Sequence, residues 1–79
     1  LLGYFSCNIY PWGDIYIDDE FQAQTPISGA LSVHPGKHVL VVKNQSYKAV
    51  SSEFYIAKKD TFFYQLNFET AAAAHSSKP

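Results

Sequence analysis

At 79 residues the chain is one small domain, and with a single cysteine, Cys7, it has no internal disulfide to hold it together. Six basic against seven acidic residues give a net charge of −1, which excludes the basic footprint of a nucleic-acid binder, and no apolar run reaches the length of a membrane span. Six Phe, six Tyr and one Trp supply the large, strand-favouring side chains from which a disulfide-free core of this size can be built.

Period-two alternation recurs along the chain and helical periodicity does not. Tyr4 to Tyr10 sets Phe5, Cys7 and Ile9 on one face against Tyr4, Ser6, Asn8 and Tyr10 on the other. Pro11-Trp12-Gly13 then breaks the strand, with Pro and Gly expected to supply the backbone angles of a corner. Asp14 to Asp18 is a second short strand, Ile15 and Ile17 opposing Asp14, Tyr16 and Asp18. Asp18-Asp19-Glu20 forms the following turn, Phe21 to Gln24 a brief return strand, and Thr25-Pro26 and Ser28-Gly29 punctuate the next connection.

His34-Pro35-Gly36-Lys37 carries the residues of a type II turn. His38 to Lys43 is the most apolar strand, with His38, Leu40 and Val42 on one side and Val39 and Val41 on the other, as in a central or doubly covered position. After an Asn44-Gln45-Ser46 loop, Ser52 to Ala57 alternates through Phe54 and Ile56. Lys58-Lys59-Asp60 is a charged turn, and Thr61 to Phe68 closes the domain with Phe62, Tyr64, Leu66 and Phe68 inward. About six or seven short strands, with turn signals every eight to twelve residues, describe a small all-β sandwich over residues 1–69. The remainder, 70–79, reads as a flexible tail or linker. The start at Leu1-Leu2-Gly3, without Met, reads as a segment of a longer protein.

The order of these signals resembles the PEGA domain. The residues that carry the resemblance are Gly3, Tyr10-Pro11, Gly13, Ile15-Tyr16-Ile17-Asp18, Thr25-Pro26, Leu31, Val33, Pro35-Gly36-Lys37-His38, Leu40, Val42 and Tyr47, spread over residues 3 to 68. Trp12 and Asp14 replace the Glu and Ala of the family's naming motif, and Asp19, Ala23 and Ser46 stand where glycines are usual. These replacements fall in or beside turns, so they bear on local geometry rather than on fold. The resemblance implies an all-β, PEGA-type module of a larger bacterial or archaeal protein, found in envelope proteins and beside membrane-anchored kinases, with no catalytic residues to carry over.

Candidate sites follow from residue chemistry. Asp14 and Asp18 are roughly 13 Å apart along a strand, too far to share an ion, and Asp18-Asp19-Glu20 lacks the spaced ligands of a calcium loop; the trio reads as a solvated, edge-protecting turn. His34 and His38 flank a turn but lack the further ligands zinc needs, so no metal and no cofactor is expected. With no G-x-S-x-G, no HExxH and no Cys–His pairing, catalysis is not expected either.

Trp12, Tyr10 and Tyr16 are the candidate binding residues, flat rings with polar handles suited to a sugar face or a protein pocket. The competing reading has Trp12 capping the sandwich and the tyrosines shielding sheet edges. The function expected is a non-catalytic binding or spacer module in an extracytoplasmic or envelope protein. Its partner would be a polysaccharide, a cell-wall component or another protein domain, with no nucleic acid and no membrane insertion. The alternatives are a sensor or tether attached to a membrane-anchored kinase, and a self-assembling module.

Overall fold

The computed structural model describes residues 1–27 and 29–70. The expected tail lies outside them apart from Thr70, and so does Ser28 of the expected punctuation. Among the described residues seven strands form: β1 (Gly3–Tyr10), β2 (Asp14–Ile17), β3 (Glu20–Gln24), β4 (Leu31–Val33), β5 (Gly36–Asn44), β6 (Tyr47–Ile56) and β7 (Thr61–Asn67). They make a three-stranded sheet in the order β4-β1-β7 and a four-stranded sheet in the order β3-β2-β5-β6, the all-β fold that the alternation predicts. β1 and β7 run parallel, from Tyr4 beside Thr61 to Tyr10 beside Asn67; the other pairings are antiparallel.

The sheets meet through the apolar faces that the period of two defines. Phe5 and Ile9 of β1 and Val33 of β4 pack with Ile15, Ile17, Leu40, Val42, Phe54 and Ile56 of the other sheet. Aromatic rings bridge the layers: Phe54 lies 5.4 Å from Phe5 and stacks on Phe62 at 4.8 Å between centroids. Full burial of a side chain of this size is worth about 1.5–3 kcal/mol, so a few such rings carry much of the stability. Phe62, Tyr64 and Leu66, expected inward, are only partly buried because β7 is an edge strand. Phe68 is buried as expected, but on a helical turn at 68–70 rather than in the strand. Asn67 Oδ1 accepts the Thr70 amide at 3.0 Å, capping that turn, and Tyr47 stacks on Phe68 at 5.2 Å.

Elsewhere the structure departs from the sequence reading for identifiable reasons. β4 is three residues long, too short for alternation to show. β6 begins at Tyr47, five residues before the expected Ser52, because a bulge hides its period. Val42 pairs with Val50 and Asn44 with Tyr47, so three steps of β6 span two of β5 and Tyr47 falls out of phase. The expected type II turn at residues 34–37 is instead a corner at which the chain passes from β4 in one sheet to β5 in the other. Gly36 opens β5 with φ of 125°, a backbone angle that demands glycine.

Gly13 differs from its expected role. Its φ is not positive; what it supplies is room. A Cβ there would stand 2.6 Å from Val42 Cγ1 and 3.1 Å from Ile9 Cγ2, so the first corner is pressed against the core and only glycine fits.

Candidate functional site: the outer face of the four-stranded sheet

β5 lies between β2 and β6, as its sequence predicts, yet nothing among the described residues covers its second apolar face. Val39 is 38% exposed and Val41 half-buried. In the sheet register Val41 lies beside Tyr16, which lies beside Phe21 on the edge strand. A bulge produces this alignment. Ile15 pairs with Ala23 and Tyr16 with Phe21, so one extra β3 residue rotates Phe21 onto the outer face. The Tyr16 and Phe21 rings meet edge to face at 5.6 Å. Lys43 Nζ sits 4.5 Å over the Tyr16 ring, within cation–π range. Tyr55 on β6 is 71% exposed and lies opposite Lys37. Lys37 pairs with Glu53 at 3.4 Å, an exposed contact that adds little to stability.

Phe21, Tyr16 and Val41 therefore lie side by side across three strands, with Val39 next along β5; the β6 residue level with Val41 is Ser51, and Tyr55 lies apart from this row, four residues further along β6.

The three aromatics picked from sequence do not form one surface. Tyr16 belongs to the row. Tyr10 is 53% exposed at the end of β1, on the outer face of the other sheet, so its ring and that of Tyr16 belong to opposite sides of the sandwich. Trp12 is half-buried at the corner between them and outside the core cluster.

That corner is fixed through its backbone. Asn44, buried at the end of β5, donates from Nδ2 to the Trp12 carbonyl at 2.9 Å and accepts the Ser46 amide on Oδ1 at 2.8 Å. Buried Thr25 accepts the Gly13 amide on Oγ1 at 2.8 Å, while its own amide donates to the Gly13 carbonyl at 2.8 Å. Thr25→Val keeps the shape of Thr25 and strands the Gly13 amide. Leaving a buried donor unsatisfied costs about 1–3 kcal/mol, so the variant should unfold at lower denaturant with an unchanged m-value. A midpoint equal to the wild type would mean that water reaches the amide.

The expected hairpin turn is present, with Asp18 and Asp19 at φ of 53° and 69°. These left-handed angles suit a two-residue hairpin, and Asp tolerates them. It is not merely a solvated turn, however. Asp18 Oδ1 accepts the Val39 amide at 2.9 Å, and Oδ2 lies 2.6 Å from His38 Nδ1. His38 Nε2 lies 2.6 Å from the His34 carbonyl oxygen.

The hydrogen bond to His38, with that from the Val39 amide, holds Asp18 below the usual carboxylate range. The Asp18 carboxylate, with the His34 carbonyl, holds His38 above the usual histidine value. Sheet register brings these groups together, and no local sequence signal announces it. Beside them an open cleft of about 230 Å3 is lined by Ile17, Asp18, Glu20, Gln22, Ser32, Val33, His34 and His38, smaller than the roughly 300 Å3 at which small-molecule sites begin.

Burial pushes the Cys7 thiol up, away from the thiolate form a nucleophile needs. Among the described residues no three His, Cys, Asp or Glu side chains are placed to hold a metal ion. No helix among them is long and apolar enough to cross a membrane.

The two sheets and their shared core define a small all-β module. Residues 11–72 match the PEGA domain, and the chain belongs to that family. PEGA domains are a non-catalytic module family and occur in extracytoplasmic proteins. None of the curated proteins compared with the chain matches it. The family match begins at Pro11, after β1; β1 nonetheless forms the middle of the smaller sheet and separates β4 from β7.

Proposed function

We propose that this domain is a non-catalytic binding or spacer module of a larger extracytoplasmic or cell-envelope protein, and that it contacts a polysaccharide through the outer face of its four-stranded sheet. One observation carries the reading. β5 spends apolar residues on a face that the core does not use, and Tyr16 and Phe21 extend that face to the sheet edge. Flat rings beside a lysine suit the apolar face and hydroxyl rim of a sugar. Tyr16 is the anchor, being held from two sides by Phe21 and Lys43. Tyr10, on the outer face of the other sheet, and half-buried Trp12 at the corner lie apart from this face.

The test is a pulldown of the chain on insoluble cell-wall polymers together with a glycan array, with Tyr16→Ala, Phe21→Ala and Trp12→Ala in parallel and melting temperatures recorded for each. Loss of a hot-spot side chain weakens binding at least about tenfold, or about 1.4 kcal/mol. The proposal expects that loss for Tyr16→Ala and Phe21→Ala, with folding retained. Binding that survives both substitutions but fails in folded Trp12→Ala would move the site to the corner. Absence of binding by the wild type, with sedimentation showing concentration-dependent dimers, would assign the face to self-association.

A further inference from the structure

We propose that His38 is a proton-operated latch that fastens the β2–β3 hairpin to the corner where the chain crosses between the two sheets. The geometry sets the condition. The His34 carbonyl has no proton to give, so Nε2 must donate to it. The Asp18 carboxylate already accepts the Val39 amide on Oδ1, and in its ionised form it also requires a donor at Nδ1. A neutral imidazole carries one N–H and one lone pair. It can satisfy either partner, but it then turns a lone pair toward the other oxygen at 2.6 Å. Only the imidazolium fits both contacts.

The latch joins three elements. Asp18 belongs to the hairpin turn, His34 to the β4–β5 corner, and His38 to the central strand of the larger sheet. The ring is held in place by Phe54 of β6, with centroids 5.4 Å apart, and its side chain is only 12% exposed. The charged and titratable groups around it are Asp18 from the turn, Glu20 at the start of β3 and His34, which share the cleft. Lys37 and Glu53, on β5 and β6, pair with each other on the outer face; β4 contributes only Ser32 and Val33 to the cleft.

The linkage has a definite sign. His38 is raised in the folded state, so its contribution is complete below its unfolded value of about 6.5 and is lost as pH climbs through the folded value. Asp18 is lowered, so its contribution is present above about 3.9 and is lost as pH falls through its folded value. The latch is therefore closed in mildly acidic solution and opens on the alkaline side, releasing the hairpin beside the cleft.

An NMR titration of the His38 ring in the intact chain tests this, with protection factors for the Asp18 and Val39 amides followed over the same pH range. The wild type should titrate above about 6.5, and both amides, which bridge Asp18 and Val39, should lose protection as the ring deprotonates. Asp18→Asn presents an amide whose N–H can serve a neutral Nδ1, so its His38 midpoint should fall to the ordinary value or below and its protection should become independent of pH. His34→Ala keeps the carbonyl and should leave the midpoint unmoved. A wild-type midpoint at or below the ordinary value overturns the latch, as does an unchanged midpoint in Asp18→Asn or protection that ignores the titration.

Discussion

Phe54→Ala is expected to leave the domain without a cooperative unfolding transition at room temperature. The Phe54 ring is 5% exposed and touches three others, lying 5.4 Å from Phe5, 4.8 Å from Phe62 and 5.4 Å from His38. Among the described residues it is the aromatic that ties β1, β5 and β7 to β6. Truncating a buried Phe to Ala costs about 3–5 kcal/mol, part from lost transfer and part from the cavity. A domain of this length is stable by only about 4–12 kcal/mol at typical values per residue, and a small chain sits toward the lower end. Removal of this ring consumes most or all of that margin. Urea and thermal melts followed by near-ultraviolet circular dichroism read the outcome directly. A sharp transition displaced by less than about 1 kcal/mol would show that Phe5 and Phe62 close over the gap, against the usual behaviour of packed interiors.

Gly13→Ala should destabilise the domain strongly for a single added methyl. The new carbon would meet Val42 Cγ1 at 2.6 Å, and Val42 is fully buried between the sheets. Corner and strand must separate, and overpacking of this kind costs about 1–3 kcal/mol. For a domain this small each kcal/mol lowers Tm by about 4–8 °C. Removing the obstacle provides the check. In the double variant Gly13→Ala/Val42→Ala the clash is gone, so the two losses should fall short of additive by at least about 0.5 kcal/mol. Strict additivity would mean that the alanine methyl finds space elsewhere and that Gly13 is needed for some other reason.

These two positions show what alternation makes legible and what it hides. Phe54 could be assigned to the core from sequence because Phe54 and Ile56 repeat at a spacing of two. The same pattern gave Phe5, Ile9, Ile15, Ile17, Leu40 and Val42, all buried in the core. Glycine at a corner ordinarily supplies backbone angles, and that is the role the sequence suggests for Gly13. Its actual role depends on which side chain of a strand 29 residues away faces it, which is knowledge of register. Bulges defeat the period directly: one concealed the first half of β6, and another put Phe21 on the same face as Tyr16. The separation of Tyr10 from Tyr16 has a topological cause. Both alternate away from the core, but β1 and β2 enter different sheets, and outward then means opposite directions. The Asp18–His38 contact spans 20 residues and rests on the pairing of β2 with β5. Composition and spacing carry no trace of it.

The parallel pairing of β1 with β7 has a mechanical meaning. The chain enters the smaller sheet at Gly3 and leaves it at Asn67, and the two strands point the same way with seven residues in register. Entry and exit are thus at opposite ends of the module, about 20 Å apart at strand rise. Tension applied through flanking segments runs along these two strands, so the rungs between them resist together in shear instead of parting one at a time like a zip. Strung between neighbouring domains, the module would act as a stiff link that carries traction along its length while both broad faces stay free.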